Sequence, residues 1–130
     1  MQKEVEIILT RQLASYLETP ALLVDPRGNL LFYNEPAEAL LGRRFEETGE
    51  IPVDAWGAIF QPTDSEGAPV RMEALPLVIA LRTRKPSHSE FWITGLDGRR
   101  RHLMVTALPL VGQAGRLLGA VTLFWEGSQA

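Results

Sequence analysis

The chain has 130 residues, 45% of them hydrophobic and 22% charged, a balance that supports one globular domain around one core and argues against a disordered tail or a two-domain chain. Its net charge of −3, from 13 Lys and Arg against 16 Asp and Glu, offers no positive field to nucleic acid or to an anionic membrane. It has no cysteine, which excludes disulfides, thiolate metal sites and a cysteine nucleophile.

The first residues, Met1 to Glu6, are charged, and no small-residue cleavage site follows an apolar core, so no secretory signal is expected. The apolar runs are too short to span a bilayer. A cytoplasmic location without membrane contact is the expectation. From Lys3 to Glu18 the residues Val5, Ile8, Leu9, Leu13, Tyr16 and Leu17 recur at three- and four-residue steps, the pattern of a helix with one apolar stripe. Thr19 and Pro20 end it, because the residue before a proline avoids helical geometry.

Next, "ALLVD" reads as a strand, "PRG" as a tight turn and "NLLFY" as the returning strand. Asn34 stands where that strand meets a helix. A side-chain oxygen there accepts a hydrogen bond from an N–H that the first helical turn leaves unpaired. Pro36 suits that first turn, Glu35 and Glu38 suit the positive end of the helix dipole, and Gly42 closes about two turns of helix as a residue free to take positive φ.

Arg43 to Arg71 has weak periodicity and carries Gly49, Pro52, Gly57, Pro62, Gly67 and Pro69, which reads as loops and short helical turns anchored by Phe45, Trp56 and Phe60. "MEALPLVIALRTRK" predicts a helix from near Pro76, with Leu77, Ala80 and Leu81 on one face, stopped by Pro86. The last third predicts an antiparallel meander: "SHSEFWIT", an "LDGR" turn, "RRHLMVTALPL", a "VGQAGR" loop and "LLGAVTLFWE". The last strand is apolar on both faces, with Ala120, Thr122 and Phe124 on one and Val121, Leu123 and Trp125 on the other. Such a sheet needs a cover on each side. The middle helices can supply one, and the N-terminal helix or a partner chain the other. The closing "EGSQA" is too short for a further element, so the domain is expected to be either the whole protein or a piece excised from a longer one.

In this order, several stretches resemble the PAS domain family. "LLVDPRGNLLFYNEPAEALLG" is similar to the family's opening, with Asp25, Gly28, Asn34 and Gly42 at the matching intervals, and "GLDGRRRHLMVTALPL" and "GRLLGAVTLFWE" resemble its final two strands. The resemblance covers roughly Leu17 to Glu126. It implies an α+β fold: a five-stranded antiparallel sheet with short helices on one face over residues 20–127, and an N-terminal amphipathic helix, residues 1–19, on the other. It also implies a small cavity between the sheet and the short helices. Alternation and the match to light-sensing flavin members point Leu22, Val24, Leu30 and Phe32 inward from the hairpin, and Ile93, Leu103, Val105, Ala107, Thr122 and Phe124 inward from the meander, with Leu77 and Leu81 on the long helix.

Flavin-type members use a reactive cysteine and polar residues along the isoalloxazine edge. This chain offers Ile93, Leu103 and Phe124 at the matching positions, leaving flavin groups unpaired at roughly 1–3 kcal/mol each, so flavin is expected to be disfavoured. Haem-type members take an axial histidine from the long helix, which has none here, so haem of that kind is disfavoured too. A small, mostly apolar metabolite or a fatty acid is the ligand class the lining suits, with Asn34 or Thr122 as polar contacts. The same residues can equally make a filled core.

Other sharp readings have simpler rivals. His88 and His102 lack ligand spacing, and the carboxylates Asp25, Glu35, Glu38, Glu73 and Asp97 each suit a turn, a helix start or a solvated face. No nucleophile elbow or phosphate loop occurs. "RTRKP" and "GRRRH" read as solvated faces rather than a nucleic-acid patch. Trp92, Val121, Leu123 and Trp125 form an outer patch too apolar for water, and Val5, Ile8, Leu9 and Leu13 the contact stripe of a homodimer, with an intramolecular lid as the alternative. The expectation is a non-catalytic sensory and interaction domain, bacterial in style, that passes a ligand-induced change to a signalling protein. The rival is a ligand-free association module with a filled core.

Overall fold

The structure, a computed structural model, describes residues 5–127. In chain order the elements are α1 (Val5–Tyr16), β1 (Ala21–Val24), β2 (Leu30–Tyr33), α2 (Glu35–Leu41), α3 (Phe45–Thr48), α4 (Val53–Phe60), α5 (Pro76–Thr83), β3 (Ser87–Thr94), β4 (Arg100–Val111) and β5 (Leu117–Glu126). The expected helix start at Lys3 and the end of the "EGSQA" tail lie outside the described residues. The five strands form one antiparallel sheet in the order β2-β1-β5-β4-β3. The α+β architecture expected from the sequence is the one observed.

Local chemistry sets the β1–β2 hairpin. Asp25 Oδ1 accepts from the N–H groups of Arg27 and Asn29, a side-chain imitation of a backbone turn. Asn29 Oδ1 then accepts from Val53 N at 2.8 Å, and Trp56 Nε1 donates to the carbonyl of Gly28 at 2.9 Å, so the turn is bonded to α4.

The chain between α3 and α5 crosses the inner face of the sheet from edge to edge. Ile51 pairs with Leu30 on one edge strand, and Thr63 pairs with Trp92 on the other. Both exposed edges are thereby partly covered. Four inter-strand gaps span about 19 Å, and the eight residues of α4 about 12 Å of that. The helix is therefore held across the sheet by a bridge at each end. α2, α4 and α5 cover the inner face, burying Ala37, Leu41, Trp56, Phe60, Leu77 and Ala80 against it.

The outer face is covered by α1, but not through the expected stripe. Ile7 packs with Leu23, Leu31 and Leu118, and Ala14 is buried beside them. Val5, Ile8, Leu9 and Leu13 point away from the sheet and are 52–65% exposed. The three- and four-residue steps locate the helix correctly, yet a helix apolar on two sides leaves open which side meets the sheet.

Two irregularities decide which side chains share a face. Between β1 and β2 the register runs Leu22↔Tyr33, Leu23↔Phe32, Val24↔Leu30, so Leu31 is an extra residue in the ladder. A second shift, where Leu110 pairs with Gly119 and Val111 with Leu117, leaves Leu118 extra on β5. Each bulge reverses the parity of the residues beyond it. Leu31 and Leu118 consequently join the outer cluster under α1.

Candidate functional site

A cavity of about 70 Å³ lies between the inner face of the sheet and the helices. The hairpin contributes Leu22, Val24 and Leu30, and β3 and β4 contribute Ile93, Leu103 and Val105. Thr122 and Phe124 come from β5 and Leu77 from α5, and Trp56 and Phe60 on α4 close the opposite wall. Trp56 and Phe60 stand four residues apart on a helix, a spacing that puts them on one face. The Gly- and Pro-rich stretch around α4 reads as loops and short helical turns with Trp56 and Phe60 as apolar anchors, which does not place the two on a cavity wall. Phe91 and Leu41 also line the cavity; Phe91 has the same parity on β3 as Ile93.

Three expected lining residues are elsewhere. Phe32 is turned to the outer side by the Leu31 bulge, where its ring meets Phe45 edge-on at 5.3 Å and lies under the Arg11 guanidinium at 4.7 Å. Tyr33 takes the inward position instead, buried, with its hydroxyl donating to the carbonyl of Arg43 at 2.8 Å. Burial raises the pKa of that phenol. Leu81 lies four residues past Leu77, about 6 Å farther along α5, and borders a shallow groove with Gly28 and Val53.

Asn34 is the third, and it serves the backbone alone. It is 1% exposed. Its Oδ1 accepts from Ala37 N at 3.1 Å, the helix cap, and from Ala21 N at 3.0 Å. Its Nδ2 donates to the carbonyls of Ala14 and Thr19, each at 2.9 Å. One side chain therefore joins α1, the segment after it, β1 and α2, with its bonding capacity used up. At the other end of α2, Gly42 has φ +86°, and a Cβ there would stand 2.5 Å from Asp97 N, so glycine is required twice over.

Arg101 continues the inward row of Leu103 and Val105 on β4 and is 6% exposed, contrary to the reading of "GRRRH" as a solvated face. Its guanidinium holds Asp97 by two hydrogen bonds, 3.1 and 2.8 Å, and donates to the carbonyl of Leu40 at 2.9 Å. That contact lowers the Asp97 pKa to about 2. The clamp fastens the β3–β4 turn to the end of α2 and closes that end of the inner face.

Thr122 is the contrast. It is 3% exposed, its cross-strand neighbours are Leu22 and Ala107, and its Oγ1 has no hydrogen-bond partner in the protein. Apart from Trp56, whose indole N–H is bonded to Gly28, it is the only cavity-lining residue with a polar side chain.

On the outer face Trp92 is half-buried and stacks on His102 at 4.2 Å, with the Arg100 guanidinium 5.3 Å from its ring centre. His102 Nε2 lies 3.4 Å from Glu90 Oε2, close enough for an ion pair when protonated but without hydrogen-bond geometry. His88 Nδ1 is 2.9 Å from Thr106 Oγ1. Among the described residues no cluster of three or more His, Asp or Glu could hold a metal, and no helix is long and apolar enough to cross a membrane. Val121 and Leu123 are half-buried, and Trp125 is 45% exposed.

No protein-family profile matches the sequence, and no curated protein does. Solved structures do match. The PAS domain of a protein from Colwellia psychrerythraea aligns at TM-score 0.67 and 16% identity over 95% of this chain and 99% of its own. The PAS domain of nitrogen regulation protein NR(II) from Vibrio parahaemolyticus gives 0.63 and 18% over 92% and 98%. The chain has the PAS fold. A Rhodobacter sphaeroides LOV protein aligns at 0.72 and 11% identity over 97% of this chain and 70% of its own.

The LOV matches correct one expectation. LOV proteins are the light-sensing flavin members of this fold, and several of them superpose on nearly the whole chain, so the exclusion of flavin does not stand. Missing hydrogen bonds along the isoalloxazine edge cost about 1–3 kcal/mol each. Burial of an aromatic ring system acts in the opposite direction: at roughly 25 cal/mol per Å², the 150–250 Å² of an aromatic group gives about 4–6 kcal/mol.

Proposed function

We infer that this chain is a non-catalytic sensory domain that holds a small, mostly apolar ligand between its sheet and its inner helices, and that it works as a homodimer. The observation that carries this reading is the apolar cavity itself. It is walled by side chains from all five strands and from α2, α4 and α5, so an occupant would touch every inner element. Its lining contains no carboxylate, histidine or amine, which supports binding rather than acid–base chemistry. Pockets for drug-sized ligands run to about 300–1,000 Å³. An occupant larger than about 70 Å³ therefore has to move α4 or α5 from the sheet, and that movement is the shift in population a signalling partner would read.

The dimer rests on the outward side of α1. Val5, Ile8, Leu9 and Leu13 make a continuous apolar stripe on a helix already fastened to the sheet by Ile7 and by the Asn34 bond to Ala14. A vivid-type fungal blue-light photoreceptor with the same fold is described as a light-state dimer, which supports an association role for this one. Trp92, Val121, Leu123 and Trp125 are the outer patch through which a signalling protein would sense the sheet.

Native mass spectrometry of protein purified without refolding, with an absorbance spectrum and a thermal-shift screen of small apolar compounds, tests the ligand. A bound or stabilising compound whose effect is lost on Val105→Phe, which fills the cavity, is expected. A stabiliser at 100 times its Kd would add about 2.7 kcal/mol. Absence of both adduct and shift would leave the association module, and a visible chromophore would replace the small ligand by a cofactor. Sedimentation tests the dimer: Leu9→Glu with Leu13→Glu should give a folded monomer, and a monomeric parent would overturn this part.

A further inference from the structure

We propose that Thr122 makes the cavity selective for a small neutral molecule that ends in a single hydrogen-bonding oxygen, such as a short-chain ketone or alcohol, over a hydrocarbon of the same shape. The inference rests on the ligand reading above and adds the chemical class. A threonine hydroxyl can donate one hydrogen bond and accept others, and here it does neither within the protein, although it is 3% exposed. A buried, unpaired hydroxyl destabilises the fold, and valine would present nearly the same shape without that cost. Water is a poor partner, because an ordered buried water needs two to four polar neighbours. Thr122 carries the one polar group with free bonding capacity among the lining side chains, and because its Oγ1 lies behind the apolar wall, an occupant meets it on rotation of the side chain about χ1.

The rest of the lining excludes an anion. A carboxylate would be buried without a cation, because the nearest inward guanidinium, Arg101, is committed to Asp97 and to the carbonyl of Leu40. The volume sets the size. At about 70 Å³ the cavity is roughly half of an engineered cavity that admits benzene, which leaves room for about four heavy atoms, or a little more with small shifts of the walls.

The test pairs butanone with 2-methylbut-1-ene, in which a methylene group replaces the oxygen, and follows the methyl resonances of Leu22, Val105 and Leu103 in the full chain by NMR titration. The parent protein should bind butanone about tenfold more tightly than the alkene, the equivalent of one net hydrogen bond. Thr122→Val should remove that preference or reverse it, and Thr122→Ser, which keeps the hydroxyl, should retain it. Equal affinities in the parent, or a preference that survives in Thr122→Val, would overturn the selectivity and leave an apolar ligand site standing. If neither probe moves the cavity methyl groups, the ligand reading fails together with this inference.

Discussion

Asn34 and Thr122 are both buried polar side chains, 1% and 3% exposed, and their surroundings are opposite. Asn34 sits where α1, β1 and α2 meet and makes four hydrogen bonds to backbone groups. Thr122 sits on β5 within an apolar wall and makes none to the protein. Burial of a polar group is tolerated when the protein satisfies it, and then the group belongs to the architecture. An unsatisfied group lowers stability for no structural return. Arg101 belongs with Asn34, since its guanidinium is committed to Asp97 and Leu40.

The comparison is broken most severely at Asn34. Asn34→Ala leaves two carbonyls and two N–H groups buried without their partner, and the expected loss is about 3–5 kcal/mol, well beyond the ~1 kcal/mol of an exposed helix cap. Chemical denaturation measures it. A loss near 1 kcal/mol would mean that only the local cap matters and that the bonds to Ala14 and Thr19 contribute nothing. Asn34→Asp sharpens the point. It keeps the acceptor for Ala21 and Ala37 but turns an oxygen toward the carbonyls of Ala14 and Thr19, so it should destabilise at neutral pH and recover partly in acid, where a protonated carboxyl can donate.

The Asp97–Arg101 clamp comes next, and its effect depends on pH. Asp97 has its pKa depressed to about 2 from an ordinary 3.8, chiefly by the hydrogen bonds from Arg101. The folded state therefore binds the proton less readily than the unfolded state. The resulting stability is present above the unfolded value and is lost as pH falls through about 2. Urea midpoints for the parent and Asp97→Asn should differ clearly at pH 7 and converge between pH 4 and pH 2. A difference that stays constant across this range would show that the carboxylate charge is not what holds the turn to α2.

The same three residues show what could be read from the sequence. The cap was legible, because Asn34, Pro36 and Gly42 stand at fixed distances along one helix. Its other bonds were not, since Ala14 and Thr19 lie 20 and 15 residues away and reach it only through the fold. Strict alternation placed Leu103, Val105 and Ala107 correctly on β4, where the register through them is regular. It failed at Phe32 because the bulge at Leu31 inserts one residue, and "LLFY" carries no glycine to announce it. Arg101 has the inward parity of Leu103, but a positive charge in a run of arginines reads as solvated until Asp97 and the carbonyl of Leu40 are placed against it.

The smallest expected effect has the opposite sign, and it separates the two kinds of buried group most cleanly. Thr122→Val removes a hydroxyl that has no partner and puts a methyl group in an apolar wall. Without added ligand the variant should be more stable than the parent by about 1 kcal/mol, a rise in Tm of about 2–4 °C for a chain of this size. The substitutions at Asn34 and Asp97 should both lower stability at pH 7. A loss of 1 kcal/mol or more in Thr122→Val would mean that the hydroxyl has a structural partner after all, placing Thr122 beside Asn34 and removing the reason to look for a ligand oxygen. A gain would show that the parent chain carries the hydroxyl at a cost to its own folding, the condition that the proposed ligand contact requires.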